Sequence, residues 1–398
     1  MNRIPGHAQS EQLPHSLPTV VMSVDFPFPG ATGSPLHCQA IASGLVAHGS
    51  PTTVVKYVAR SESETSRSLW NGIPVVRIAR RRRWRTLLSV VRAAPDSTLY
   101  AHGDLSAALL APYRLLLRLP LTVEIHSVFG VQQRRGRTQQ LRAKIQGAIP
   151  RLVRAAVIVL SHSERDELLR RGFNPRDVHV LYPPIDVEAY RCTPRGVRRD
   201  QPAILYVGNF HAYQGVDMLL EAFASVAAAH PTVRLHIAGG TERDLPDGGA
   251  AIAPAARDRI SFLGRVAPDD TRALYEAADI LVIPRPDLPI NRTTGRKLGE
   301  YLAAGRTIVA TDVADHQRLL DANRAGIVCD TSVEALANAL LRSLGEESPT
   351  LEMATNAQLL AQREFSLDEG IRRRQQVLVH QVDRSSGTRA HDSARAVG

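Results

Sequence analysis

Short apolar runs alternate along the chain with longer segments whose apolar residues recur at helical spacing, the pattern of strands joined by helices that cover a mainly parallel sheet. A first strand is predicted at residues 19–25, followed by a glycine-containing loop at 27–35 and a helix at about 36–48. Gly49 stands where that helix should end, and a strand at 52–57 comes next. Apolar runs at 74–78, 98–102, 121–126, 156–161 and 178–182 complete one sheet. The periodicity then fades into a polar, charged stretch that reads as a linker at 191–202. A second series follows, with strands at 203–207, 233–238, 260–263, 280–284 and 307–311 and helices at 216–228, 269–278 and 295–304. The predicted fold class is therefore α/β, with one domain at 19–190 and another at 203–382. Residues 1–18 and 383–398 are expected to be disordered tails.

Length and composition agree with two domains, since 398 residues with 44% hydrophobic and 22% charged residues supply apolar surface for two cores. No apolar run is long enough to span a bilayer, and the polar opening lacks an apolar segment behind a basic start, so a cytoplasmic location is expected. Cys38, Cys192 and Cys329 are widely separated and show neither metal nor disulfide spacing, which leaves packing as their expected role. Charge is uneven. Up to Asp186 there are 24 Lys+Arg and 12 Asp+Glu, or +12; the remainder has 25 and 27, or −2. A basic first half implies an anionic partner: a membrane, a nucleic acid or a phosphorylated substrate.

Candidate chemistry sits at the ends of the predicted strands, where open α/β sheets bind ligands. In the first domain GATGSP puts Gly30 and Gly33 between a strand and a helix; it lacks the three-glycine spacing of a dinucleotide fingerprint, so NAD is not expected. A plain tight turn is the competing reading. His126 ends the strand LTVEIH and faces the same crevice, and His102 ends TLYAH. In the second domain a glycine turn from Gly208 to Gly215 follows the first strand, and Gly239 and Gly240 close another. The run NRTTGRKLGEYLAAGRTIVATD lets Thr293 or Thr294 cap a helix whose free amides suit a diphosphate.

These motifs, in this order, resemble glycosyltransferase family 4 of the GT-B superfamily, in which two Rossmann-like domains face each other across a cleft. The resemblance runs from about residue 19 to 344. It rests on the glycine turn with YQG before a helix, the LGRV strand and EYLAAG in the second domain, and on GATGSP, VEIHS, VIVLSHSERDELLRRGF and PPID in the first. It implies a retaining transfer of a sugar from a nucleotide diphosphate sugar to a glycan, lipid or small-molecule acceptor. It further implies that Glu300 holds the donor ribose, that Thr294, Gly295 and Arg296 meet the diphosphate, that Arg265 lies near the base, that His126 acts at the transferred sugar and that Gly33 covers the phosphates. Two departures stand out. Arg292 occupies the place of the family's second glutamate, and Asn209 and Gln214 stand nearest to where an arginine and a lysine usually grip the diphosphate. Lys297 or Arg292 is expected to supply the missing cation. No Asp-x-Asp motif occurs, so neither metal nor other cofactor is expected. A nucleotide-sugar epimerase on the same fold is the enzymatic alternative.

The segment RIARRRRWRTLLSVVR interleaves Arg80, Arg81, Arg82, Arg83 and Arg85 with Trp84, Leu87, Leu88, Val90 and Val91, a composition suited to docking at the inner face of an anionic membrane. A solvated basic face is the alternative. A protein that only binds membrane or nucleic acid is a further one, although no helix-turn-helix, RNA-binding aromatic motif or zinc pattern supports the nucleic acid.

Overall fold

A computed structural model describes all residues other than 1–16, 27, 31–32, 58–64, 80–82, 127, 129–146, 199, 246–247, 346–350 and 396–398, and from residue 385 onward the backbone alone. Most of the expected first tail, and Arg80, Arg81 and Arg82, lie outside the described residues. The first sheet comprises β1 (Val20–Val24), β2 (Thr52–Tyr57), β3 (Ser66–Trp70), β4 (Ile73–Ile78), β5 (Thr98–His102), β6 (Leu121–Ile125), β7 (Ala156–Val159) and β8 (Val178–Val180), in the order β3-β4-β2-β1-β5-β6-β7-β8. All pairs are parallel except β3–β4. The second sheet comprises β9 (Ala203–Val207), β10 (Arg234–Ala238), β11 (Ile260–Phe262), β12 (Ile280–Ile283), β13 (Thr307–Thr311) and β14 (Ile327–Cys329), all parallel, in the order β11-β10-β9-β12-β13-β14.

The helices cover both sheets: α1 (Gly33–Ala47), α2 (Arg83–Arg92), α3 (Asp104–Leu117), α4 (His162–Arg170) and the single turn α5 (Val187–Tyr190) in the first half, then α6 (Val216–Ala229), α7 (Thr271–Ala277), α8 (Arg296–Ala304), α9 (Val333–Leu344), α10 (Leu351–Glu364) and α11 (Leu367–Arg395). β1, β5, β6 and β7 are buried throughout, as expected of parallel strands covered on both faces, and this is why they read as unbroken apolar runs. β3 has no such signature. Its residues SRSLW are mostly exposed, and antiparallel pairing with β4 alone makes them a strand.

The C-terminal helix requires two corrections. The expected second domain ends at 382 and is followed by a disordered tail at 383–398, whereas α11 continues to Arg395 and its first half packs on the first domain. Ile371, Val377 and Leu378 join the core formed by α1, β1 and β2. Gln375 donates to the His48 carbonyl and to Ser50, and Arg384 pairs with Asp177 of the first domain. The chain thus crosses between domains twice, and the crossings are bonded together by Ile185 N–H donating to the Phe365 carbonyl at 2.8 Å.

The expected linker is pinned rather than loose. Arg195 and Arg198 pair with Asp279, which is fully buried, and Asp279 also accepts from the Ala203 N–H at 2.8 Å. The domains also meet at the start of α4. Ser161 Oγ donates to the Arg292 carbonyl at 2.6 Å, Thr293 Oγ1 donates to Glu164 Oε1 at 2.6 Å, and Asp315 accepts from His162 and from Tyr182 Oη. Burial pushes the Glu164 carboxyl up to about 7, against the hydrogen bonds it accepts from Thr293, Val128 and Leu160.

Candidate active site

Each sheet has a switch point where successive connections run to opposite sides, β1/β5 in the first and β9/β12 in the second. The carboxyl ends of these strands open onto one inter-domain cavity of about 640 Å³. The first domain contributes Phe26, Gly33, His37 and His126 to its wall; the second contributes Asn209, Tyr213, Gln214, Arg285 and residues 293–297.

The second-domain wall is built to hold an anion. Gly215 takes a φ of +72°, and a Cβ there would lie 1.8 Å from the Pro284 carbonyl oxygen, so the glycine turn after β9 rests directly on the end of β12. That contact brings Gln214 and Lys297 together, with Nζ to Oε1 at 3.3 Å. Lys297 Nζ lies 4.2 Å from the centre of the Tyr206 ring, and Gly208 leaves room for it, because a Cβ at Gly208 would meet Nζ at 2.5 Å. Arg285, the second residue after β12, reaches the Thr293 carbonyl at 3.4 Å and leaves its Nε buried without a partner. No carboxylate among the described residues forms an ion pair with Lys297 or Arg285. Burial, then Arg285, holds the Lys297 ammonium well below its usual range, with Glu300 opposing; burial likewise lowers Arg285. Two desolvated cations lie beside the N-terminus of α8, whose first amides lack acceptors within the helix. Thr294 Oγ1 is buried there without a partner. The site therefore presents donors and positive charge that a diphosphate would satisfy.

The first-domain wall is a cluster of imidazoles around a buried carboxylate. Glu124 on β6 accepts from His37 Nε2 at 2.5 Å, from Tyr100 Oη, and from Arg374 on α11 through Nε at 3.1 Å and Nη2 at 3.0 Å. Burial would raise the Glu124 carboxyl, but Arg374 and His37 outweigh it and hold the group ionised, well below the usual carboxylate range. His102 Nδ1 and His126 Nε2 are 3.2 Å apart. Burial, reinforced by His37, lowers His126 to about 4, so it is neutral at physiological pH. His37, His102, Glu124 and His126 bring four potential ligand atoms within 4.8 Å of one another. Both oxygens of the one carboxylate in this group are already engaged by the Arg374 guanidinium.

Of the residues singled out in the sequence, Gly33, His126, Asn209, Gln214, Thr293, Thr294, Gly295, Arg296 and Lys297 line the cavity. Gly208 supports it from behind. Gly240 packs against Phe210 and Arg265 is exposed, neither on the wall. Thr293 and Thr294 do not cap α8; Gly295 is its N-cap, and the Thr293 hydroxyl is drawn to Glu164 instead. Arg292, expected to meet phosphate, points outward and pairs with Asp287 at 2.7 Å. Glu300 lies one turn behind the wall, where Oε2 accepts from Tyr275 Oη at 3.2 Å and Oε1 stands 3.5 Å from Arg296. Sequence reasoning missed Arg285, His37, Glu124 and Arg374. Arg285 left one signal, a charged residue directly behind the apolar run ILVIP; Arg374, within RRRQQ, left none.

The basic segment is also revised. α2 turns Leu87, Val90 and Val91 into the core of the first domain, so these residues are not available to lipid, and of the expected docking face α2 exposes Trp84 and Arg85, with Arg83 half-buried. No helix among the described residues is long and apolar enough to cross a membrane.

Comparison with known proteins agrees with this architecture. A family model described as Glycosyltransferase Family 4 matches residues 31–189, and one described as Glycosyl transferases group 1 matches 201–346. The alpha-D-kanosaminyltransferase of Streptomyces kanamyceticus is 29% identical over 301 residues, 70% of this chain and 75% of that protein. The D-inositol 3-phosphate glycosyltransferase of Gordonia bronchialis is 25% identical over 233 residues, which is 54% of this chain and half of that one. Among solved structures, sucrose-phosphate synthase from Thermosynechococcus elongatus superposes with a TM-score of 0.71 at 19% identity, over 92% of this chain and 100% of the other. Anabaena Alr3699/HepE in complex with UDP and glucose superposes with a TM-score of 0.69 at 18% identity, over 91% of this chain and 99% of the other. The matched segments fall one on each sheet and together take in the cavity wall from Gly33 to Lys297, and the chain therefore belongs to glycosyltransferase family 4, with the GT-B fold.

Proposed function

We propose that this glycosyltransferase uses a nucleoside diphosphate sugar as donor and transfers the sugar with retention of configuration and without a metal ion. The observation that supports this most directly is the pair of half-buried cations, Arg285 and Lys297, which have no carboxylate partner among the described residues and lie beside the N-terminus of α8. Breaking the anomeric bond moves an electron pair onto the diphosphate oxygen. The new bond forms to the acceptor oxygen, whose proton is given up to the departing diphosphate. Donors fixed in a desolvated cavity stabilise that developing charge without reorganising, which is the contribution a metal makes elsewhere. Anabaena Alr3699/HepE, which shares the fold, is solved in complex with UDP and with UDP-glucose, so UDP-sugars are the first donors to try.

A thermal-shift screen of UDP, GDP and TDP and their sugars tests the donor. A ligand at a hundred times its Kd stabilises by about 2.7 kcal/mol, and a screen in which no nucleotide raises the melting temperature removes the donor assignment. Transfer with the identified donor is expected to persist in EDTA, and a strict requirement for Mg²⁺ or Mn²⁺ would overturn the metal-free mechanism. Product analysis separates transfer from epimerisation.

Glu300→Gln tests the ribose contact. Glutamine retains the hydrogen bond from Tyr275, so folding should be preserved, while a charge-assisted bond to a ribose hydroxyl becomes a neutral one of about half the strength. Nucleoside diphosphate binding is expected to weaken by about tenfold. A small loss of stability with unchanged affinity would mean that Glu300 only complements the dipole of α8.

A further inference from the structure

Glu124 and His37 are 2.5 Å apart and buried, and the direction of that hydrogen bond sets the chemistry of the imidazole. An ionised carboxylate only accepts. Glu124 receives Arg374 on both oxygens and Tyr100 on one, so the remaining contact, His37 Nε2 to Glu124 Oε1, must also be donated to it. His37 therefore carries its proton on Nε2, and Nδ1 is a bare acceptor. Burial lowers the His37 pKa, with Glu124 only partly opposing, and so favours the neutral ring. Nδ1 is buried and has no hydrogen-bond partner among the described residues, and the His37 side chain forms part of the cavity wall. An unsatisfied buried acceptor in a ligand cavity costs free energy unless a ligand supplies a donor. The donors that a sugar brings are hydroxyl groups.

We propose that His37, oriented by the Arg374–Glu124 pair, accepts a hydrogen bond from a substrate hydroxyl through Nδ1. This rests on the reading of the cavity as a sugar-transfer site. His37 touches the substrate, whereas Glu124 and Arg374 are positioning residues that act through it. The C-terminal helix thereby reaches the chemistry of the first domain.

Two amide substitutions divide the roles of the ring nitrogens. In His37→Gln the amide replaces Nε2 and keeps the N–H to Glu124, but nothing replaces Nδ1. In His37→Asn the amide oxygen replaces Nδ1 and the contact with Glu124 is lost. His37→Gln is expected to fold normally, to bind UDP as wild type does and to lose about ten- to a hundredfold in kcat. His37→Asn should keep more of the activity. The reverse order, or wild-type kcat and KM in His37→Gln, would make His37 a partner of Glu124 only and overturn the proposal. Binding of UDP-glucose against UDP identifies the hydroxyl: weakening confined to UDP-glucose places it on the donor sugar, and a raised acceptor KM alone places it on the acceptor. Nitrogen-15 NMR of histidine-labelled protein gives an answer that does not depend on the donor. His37 Nδ1 should appear unprotonated, and a proton on Nδ1 would overturn the assignment even if the donor proves correct. Failure of wild type to bind any nucleotide would instead count against the donor reading and leave the tautomer measurement decisive.

Discussion

Lys297→Met is expected to lower kcat by about 10²- to 10³-fold while leaving the protein folded, the cost typical of removing one fixed donor from a site of developing negative charge. Methionine keeps an apolar stem against the Tyr206 ring and removes only the ammonium. The substitution should also raise thermal stability. Lys297 is a desolvated cation without a carboxylate partner, and burial and Arg285 hold its pKa well below the usual value, so the unliganded fold bears the cost of its charge. For a lysine with a lowered folded pKa, the folded state binds fewer protons than the unfolded state between the two pKa values, and stability rises with pH in that window. Diphosphate binding favours the charged form and so takes up a proton, which makes nucleotide affinity fall as pH rises through the pKa of the free Lys297. Calorimetric titration in buffers of different ionisation enthalpy reads that proton directly. Arg285→Leu should behave in the same direction, since its Nε is buried without a partner next to the same residues. Variants that turn over at the wild-type rate with unchanged nucleotide affinity would exclude these cations from the donor site.

Arg374→Met is expected to be the most destabilising single change, costing about 3–5 kcal/mol, because it leaves the Glu124 carboxylate buried with its counter-charge removed. Both side chains are fully buried, and Arg374 also donates to the Tyr182 carbonyl and to the Gly370 carbonyl of its own helix, so Glu124 and Tyr182 lose their common partner at once. Adding Glu124→Gln to Arg374→Met removes the stranded charge and should restore a large part of the loss. Denaturant unfolding of the two single variants and the double variant gives the coupling. Equal destabilisation of Arg374→Met alone and in the double variant would show that the pair contributes by packing, not by charge. The Arg374→Met variant should also loosen α11 from the first domain, seen as faster amide exchange at Ile371 and Gln375, whose contacts with α1 and Ser50 lie on the same face of the helix.

The strands that position the site were legible because each is a local statement. β2, β5, β9 and β13 coincide with their predicted limits, since a buried parallel strand is a continuous apolar run and its ends are marked by the residues that turn the chain. The same locality brought His126, Gln214 and Lys297 to strand and helix ends facing one cleft. What the sequence by itself determined, then, is two apolar-strand series with polar and glycine residues at their carboxyl ends. Tertiary structure decided the rest. Arg292 and Arg285 are both arginines near glycine-rich loops, yet one pairs with Asp287 in solvent and the other lines the cavity, a distinction set by which way the chain leaves β12. Arg374 sits in a run that reads as solvated helix, and becomes the counter-ion of Glu124 only because α11 returns across the domain boundary. Hydrophobic periodicity records which face of an element is buried. It carries no record of which distant charge will be buried against another, because that pairing is a property of the packed interface and is made by residues 250 positions apart.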